Sequence, residues 1–289
     1  MVELHYLLAR LGRSSLDTQQ HQQLAQLFYE LHQEDSAFVI PNPWDVGTTR
    51  LLSGMGYKAL ATTSAGCAFF NGQQDNTLGR EAILANAQVI VDVTALPVSA
   101  DLENGFGDSP EAVVDTIKGA LDIGLAGGSI EDANNLSDSP IYSIELAAEK
   151  VRAAAETIAA SDIPFVLTAR AENYLFGNND IKDTIARLQA YQAAGADVLY
   201  APGVTSKEDI AAIVSSVDKP VNVVMGLAGG NLSVRELSEL GVKRISVGSA
   251  LARAALGEFI RAASEMQEEG TFSFADEAIG YGDISQMLS

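Results

Sequence analysis

Eight short apolar runs, each followed by a longer amphipathic stretch, constrain this chain more than any other feature. Read as strands, the runs are Ala37–Pro41, Ala59–Thr63, Pro97–Asp101, Gly127–Glu131, Phe165–Ala169, Asp197–Ala201, Val221–Val224 and Arg244–Val247. Helical periodicity occupies Val46–Met55, Arg80–Val91, Pro110–Ile123, Ile144–Ala160, Ile181–Ala194, Lys207–Ser215 and Ser233–Leu240, and Ala250–Gln267 follows the last strand. Several helices stop at a glycine just before the next strand, at Gly56, Gly124, Gly195 and Gly241, as helix C-termini favour. Eight βα units in a row are the signature of an α/β (β/α)8 TIM barrel. A doubly wound open sheet is the competing reading, weakened by the lack of a dinucleotide-type glycine fingerprint. A polar helix over about Thr18–Glu34 precedes the first strand. Residues 1–18 read as a poorly ordered extension and residues 19–289 as a single barrel domain.

Charge and composition limit the functions open to such a barrel. The formal net charge of −20 excludes the basic footprint that nucleic acid requires. The same charge repels anionic substrates, so a site for a carboxylate must supply local positive charge from a metal or an arginine. One cysteine, Cys67, cannot form an intramolecular disulfide and fits a reducing cytoplasm. The histidines, His5, His21 and His32, all precede the first strand, which argues against a histidine zinc site or a serine–histidine–aspartate triad inside the barrel. No apolar run is long enough to cross a membrane. The first residues, broken by Glu3, His5 and Arg10, lack a signal core. Cytoplasmic location is the expectation.

Barrel chemistry collects at the C-terminal ends of the strands. Those ends carry Asn42 and Asp45, Thr63-Ser64-Ala65-Gly66, Asp101-Leu102-Glu103-Asn104-Gly105, Glu131-Asp132 and Arg170-Ala171-Glu172-Asn173. Asp101 and Glu103 lie two apart and, on extended backbone, face the same way. With Glu131 they make an all-oxygen set suited to Mg²⁺ or Mn²⁺ held partly through water; solvated loop acids or helix caps are the plainer alternative. Arg170 either neutralises Glu172 or Glu131, or clamps a substrate carboxylate or a developing enolate oxygen. Thr63–Gly66 reads as a small-residue turn whose N–H groups cradle a carboxylate. Cys67 reads as a buried hydrophobe, with no histidine to activate it. Trp44 reads as packing or a pocket wall, and Tyr142 and Tyr174 as structural loop tyrosines or proton donors. The apolar face of Ala250–Ile260 is most simply core. Val223, Met225 and Leu227 read as an apolar pocket wall suited to a small alkyl substituent.

Together these segments resemble the phosphoenolpyruvate mutase/isocitrate lyase superfamily, from about Phe38 to Ala263. Asp101-Leu102-Glu103-Asn104-Gly105-Phe106-Gly107 is similar to its acid-x-acid-x-Gly-aromatic-Gly metal loop. Gly127-Gly128-Ser129-Ile130-Glu131-Asp132 resembles its strand-four Glu-Asp, and Thr168-Ala169-Arg170-Ala171-Glu172 its strand-five arginine motif. Ala193-Ala194-Gly195-Ala196-Asp197 resembles the approach to its strand six. The resemblance implies Mg²⁺ with Asp101 as the main ligand and Glu103, Glu131 and Asp75 holding the metal's waters. It implies substrate carboxylate binding by Thr63, Ser64 and Ala65, and oxyanion stabilisation by Arg170. It also implies a homotetramer, a dimer of dimers whose last helix, around Ala250–Gln267, packs on a neighbouring subunit.

The departures carry information too. The superfamily's carbon–carbon lyases have a Lys-Lys-Cys-Gly-His loop after strand four; here Ala133-Asn134-Asn135-Leu136-Ser137-Asp138-Ser139-Pro140 stands there. Its phosphonate enzymes carry a lysine and an asparagine in a longer gating loop, whereas the loop here is shorter and has no lysine before Lys150. The second metal-loop acid is Glu103 rather than aspartate. A site without catalytic cysteine, lysine or histidine fits cleavage or decarboxylation of an oxaloacetate- or alkylmalate-like acid through a stabilised enolate. Phosphorus–carbon chemistry, for which Asn134 and Asn135 are the nearby phosphoryl partners, ranks second. A non-catalytic 2-oxo-acid binder ranks third.

Overall fold

The alternation of short and long segments closes into eight parallel strands. The structure, a computed structural model, describes residues 18–134, 140–227 and 230–289; the expected extension, Asn135 and most of the strand-four loop lie outside them. The order is α1 (Thr18–Leu31), β1 (Phe38–Ile40), α2 (Val46–Gly54), β2 (Leu60–Ala61), α3 (Ser64–Phe70), α4 (Arg80–Asp92), β3 (Val98–Asp101), α5 (Pro110–Asp122), β4 (Gly127–Glu131), α6 (Ile144–Ala159), β5 (Val166–Arg170) and α7 (Ile181–Ala194). Then come β6 (Val198–Tyr200), α8 (Lys207–Ser216), β7 (Val221–Val224), α9 (Val234–Glu239), β8 (Arg244–Ser246), α10 (Ala250–Glu268), a short 3₁₀ turn (Ser273–Asp276) and α11 (Tyr281–Met287). Gly56, Gly124, Gly195 and Gly241 all take positive φ, as their place after helices requires.

Strand pairing runs β1-β8-β7-β6-β5-β4-β3-β2, parallel throughout. Outside that ladder, the Ala61 amide donates to Pro41 O (3.0 Å). Asn42 completes the seam between β1 and β2: its Nδ2 donates to Thr62 O (2.9 Å) and its Oδ1 accepts from the Val247 amide (2.9 Å). Asn42 is therefore a fastening at the rim, and Asp45 caps α2 in a capping box with Thr48.

The main core lies between the strands' outer faces and the helices. A second apolar cluster, with Phe28 and Leu31 of α1 against Phe38, Ile40, Val166 and Val198, fills the N-terminal end of the barrel. His21 and His32 are buried beside it and bond backbone carbonyls of Leu125 and Phe28, which leaves the other end for chemistry.

Two expectations are corrected. The apolar face of Ala250–Ile260 is not core: Leu256 is 40% exposed, Phe259 69% and Ile260 60%. The wall expected from Val223, Met225 and Leu227 also fails in part. Strand alternation sends Val223 outward into the helix-facing core and Asn222 into the interior cavity.

Candidate active site

Each rim residue is delivered by a strand end. Asp101 ends β3, Glu131 ends β4, Arg170 ends β5 and Tyr200 ends β6. Arg170 sits between the acids. Its Nη1 donates to Asp101 Oδ1 (2.8 Å), its Nη2 reaches Glu131 Oε2 (3.1 Å) and its Nε donates to Glu172 Oε1 (2.8 Å). Its guanidinium also lies 5.3 Å from the Tyr200 ring centroid. The neutralising reading of Arg170 is what these ion pairs show, and the same side chain also lines the interior cavity.

Glu103 arrives by a route that alternation did not foresee. The backbone after β3 is not extended: Glu103 takes φ 48° and Phe106 φ 58°, with Gly105 at 82°. The loop curls back, burying Glu103 (9% exposed). Gly105 is required there, because a Cβ would lie 2.7 Å from Val113 Cγ2.

Thr63–Gly66 is not an open turn but the start of α3. Thr63 caps that helix by accepting from the Gly66 amide (3.2 Å). Ser64 turns to the acids: its amide donates to Asp101 Oδ2 (3.3 Å), and its Oγ lies 2.9 Å from Asp101 Oδ2 and 3.2 Å from Asp75 Oδ1. Ala65 follows in the first turn, half-buried. Asp75 therefore joins Asp101 through Ser64, from an exposed loop far along the sequence.

The electrostatics of this rim are lopsided. Asp75, Asp101, Glu103, Glu131 and Glu172 surround a single arginine. Burial first, then Asp101 and Asp75, push the Glu103 carboxyl up to about 8. Burial and the neighbouring acids also hold Glu131 well above the carboxylate range, against the pull of Arg170. Asp75 is raised by burial and by Asp101. Although burial opposes its charge, Arg170 stays protonated through Glu172, Glu131 and Asp101.

The sequence grouped Asp101, Glu103 and Glu131 as a metal set. Among the described residues, no three such side chains gather closely enough to be ready-made direct ligands. Arg170 takes oxygens of both Asp101 and Glu131. The donor chemistry nevertheless fits a hard divalent cation held largely through water. Glu103 Oε1 is buried with no hydrogen-bond partner, and the surplus of negative charge is what such a cation relieves.

Sequence reasoning named Asp132, Tyr142, Tyr174 and Cys67 but missed the partners that support them, and missed Arg187 and Tyr191. Asp132 Oδ1 accepts from the Glu172 amide (2.8 Å), and its Oδ2 accepts from Arg187 Nη1 (3.0 Å) and the Tyr191 hydroxyl (2.5 Å), locking β4 against β5. Lys150 is buried and donates to Gly107 O (2.7 Å), lies 4.2 Å from the Tyr142 ring centroid and is lowered to about 8 by burial. Tyr142 donates to Asp108 Oδ1 (2.6 Å) and accepts from Asn104 Nδ2 (2.9 Å), so it braces the acidic loop. Tyr174 points its hydroxyl to Asp209 (3.4 Å). Cys67 is buried and raised to about 11 by burial, a packed thiol as expected. None of these contacts leaves a periodic trace, because each joins segments remote in sequence.

The sequence matches the profile of the phosphoenolpyruvate phosphomutase family over residues 28–267. The chain belongs to this family. It is similar to an uncharacterized protein of Mycobacterium tuberculosis, 31% identical over 226 residues, 77% of this chain and 81% of that protein. It is also similar to 2,3-dimethylmalate lyase of Eubacterium barkeri, 28% identical over 73% of this chain and 75% of that enzyme. Among solved structures, a protein of Burkholderia cenocepacia J2315 provisionally described as a lyase/mutase is 55% identical. It superposes with a TM-score of 0.91, covering 94% of this chain and 97% of that one. A 2-methylisocitrate lyase and oxaloacetate decarboxylases are further relatives. The chain is thus an enzyme of the phosphoenolpyruvate mutase/isocitrate lyase superfamily, and its named relatives include carbon–carbon lyases and decarboxylases.

Proposed function

We propose that this enzyme is a Mg²⁺-dependent lyase or decarboxylase that cleaves a carbon–carbon bond in a small 2-oxo- or 2-hydroxydicarboxylate of the oxaloacetate or alkylmalate type. The observation that carries the reading is the buried, unpartnered Glu103 Oε1 beside a ring of acids gathered on Arg170. Asp101 is the residue to hold the cation directly, with Glu103, Glu131 and Asp75 holding its waters. When bound, the cation supplies Lewis-acid charge for the 2-oxo group and its adjacent carboxylate.

The chain's own groups do the rest. Ser64 and Arg170 fix both oxygens of Asp101, so its orientation is set before substrate arrives. Arg170 faces the interior cavity and stabilises the enolate oxygen left by cleavage. Ser64 and Ala65, at the start of α3, orient the substrate carboxylate, with Thr63 holding that start in shape. Decarboxylation of a 2-oxo acid releases CO₂ and leaves the enolate without a protein base, which suits a rim lacking histidine and reactive thiol; cleavage of a 2-hydroxy acid would in addition pass its hydroxyl proton to one of the rim carboxylates. Lys150 is turned away under Gly107 and so does not serve a phosphoryl group, which keeps the phosphorus–carbon alternative second.

The exposed apolar side chains of α10 and the segment beyond it, Leu256, Phe259, Ile260, Phe272, Ile279 and Tyr281, support the homotetramer reading, with α10 packed on a neighbouring subunit. Supplying oxaloacetate, 2,3-dimethylmalate, isocitrate, methylisocitrate and phosphonopyruvate, with Mg²⁺ and with chelator, tests the activity. Mg²⁺-dependent release of a 2-oxo acid or CO₂ from a carbon-only substrate is expected. Phosphate or phosphoenolpyruvate formation from phosphonopyruvate alone would replace this reading with the alternative. Tight oxalate binding without turnover of any substrate would leave the non-catalytic binder.

A further inference from the structure

Below the rim, the barrel interior holds a second cation that the reading above does not use. Arg244, the first residue of β8, is buried. Its Nε donates to Asn222 Oδ1 (2.9 Å), its Nη2 to Thr168 Oγ1 (2.9 Å), and its Nη1 lies 3.4 Å from His32 Nε2. All three partners are uncharged, because burial and the Arg244 charge push His32 down to about 3. Burial pulls Arg244 itself down to about 10, opposed by the Tyr200 phenol, and among the described residues no carboxylate pairs with it. Arg170, by contrast, has three carboxylates. A guanidinium carries five N–H donors, so these three contacts leave two to spend.

Arg244 is not sealed in apolar packing. With Asn222 and Ser246 it lines a cavity of about 60 Å³ that also touches Asp101 and Arg170. That is several times the roughly 10–15 Å³ needed by one water, and enough for one arm of a small acid. A polar column joins rim to floor. Tyr200 faces Arg170 and hydrogen-bonds Ser246, and Ser246 Oγ accepts from Asn222 Nδ2 (3.0 Å). A buried guanidinium without a counter-charge is costly, and one placed at an open cavity is suited to an incoming anion.

We propose that Arg244, with Asn222 and Ser246, forms a second anion subsite on the barrel floor, which receives the distal carboxylate of a dicarboxylic substrate whose 2-oxo or 2-hydroxy end is held at the rim. The proposal rests on the dicarboxylate reading above and deepens it. One cation in the rim and one on the floor then select for a substrate charged at both ends.

Malate and lactate share a 2-hydroxycarboxylate head and differ by the second carboxylate. Calorimetric titration of each into the full chain with Mg²⁺, for wild type, Arg244→Met and Arg244→Lys, tests the subsite. Wild type should bind malate more tightly than lactate. Arg244→Met should lose about thirtyfold or more for malate with lactate unchanged, and Arg244→Lys should fall between. Equal losses for both acids, or none, in variants that still melt cooperatively would overturn it. Bromide soaked into wild-type crystals gives an independent readout. An anomalous peak beside Arg244 with neither acid bound would keep the subsite and remove the dicarboxylate reading. No peak, together with a malate preference that Arg244→Lys leaves intact, would remove the subsite, even if Arg244→Met failed to fold.

Discussion

Arg170 and His32 show how much single residues carry. Arg170 was legible because an arginine at a strand end, among acids, has few uses other than charge. Its particular placement between Asp101 and Glu131 was not legible, since distances across strands depend on register. Glu103 was found for the wrong reason: alternation predicted its direction, but a left-handed turn delivers it. His32 was set aside as lying before the barrel, and it lies against the barrel floor next to Arg244. Its folded pKa is lowered from 6.5 to about 3. Between those values the unfolded chain binds a proton that the folded chain does not. The His32 contribution is therefore complete above the unfolded value and is lost as pH falls below it, at up to about 1.4 kcal/mol per pH unit. Glutamine at this position, His32→Gln, should flatten the fall of Tm between pH 6.5 and 4. An unchanged slope would show that other groups carry the acid sensitivity.

At the scale of elements, strands and helices were readable because period and glycine stops agreed, and β4, β7 and α7 have the bounds that the sequence predicts. The start of α3 was misread as a turn, because Thr63-Ser64-Ala65-Gly66 has the composition of both a loop and a capped helix N-terminus. Only the Thr63 cap to Gly66 decides between them. The acidic loop depends on Gly105 at φ 82° with Val113 against it. Gly105→Ala should destabilise the fold by about 1–3 kcal/mol in urea titration and depress turnover, since the same turn buries Glu103. Gly54→Ala, with nothing within 4 Å of the added Cβ, serves as the control. Equal stability of the two variants would contradict the strain assigned to Gly105.

For the whole molecule, the net charge of −20 led to the expectation of local positive charge at a carboxylate site, and Arg170 and Arg244 both line the interior cavity. What composition could not say is which apolar face is buried within one chain and which is left for another. Helix α10 has the apolar periodicity of a core helix, and only Ala252 in it is buried. Phe259→Asp combined with Ile260→Asp should therefore reduce the molar mass seen by light scattering below that of wild type, with little effect on the fold of the subunit. An unchanged mass would remove α10 from the interface. The chemistry itself is tested most directly by comparing wild type with Asp101→Asn on the substrate that wild type turns over, with Mg²⁺ and with chelator. Wild type should lose its activity on chelation and regain it with Mg²⁺. Asp101→Asn should fall by about 10²-fold or more in either condition while melting like wild type. Full activity in chelator, or an active Asp101→Asn enzyme, would contradict a cation held on Asp101 as the centre of the reaction.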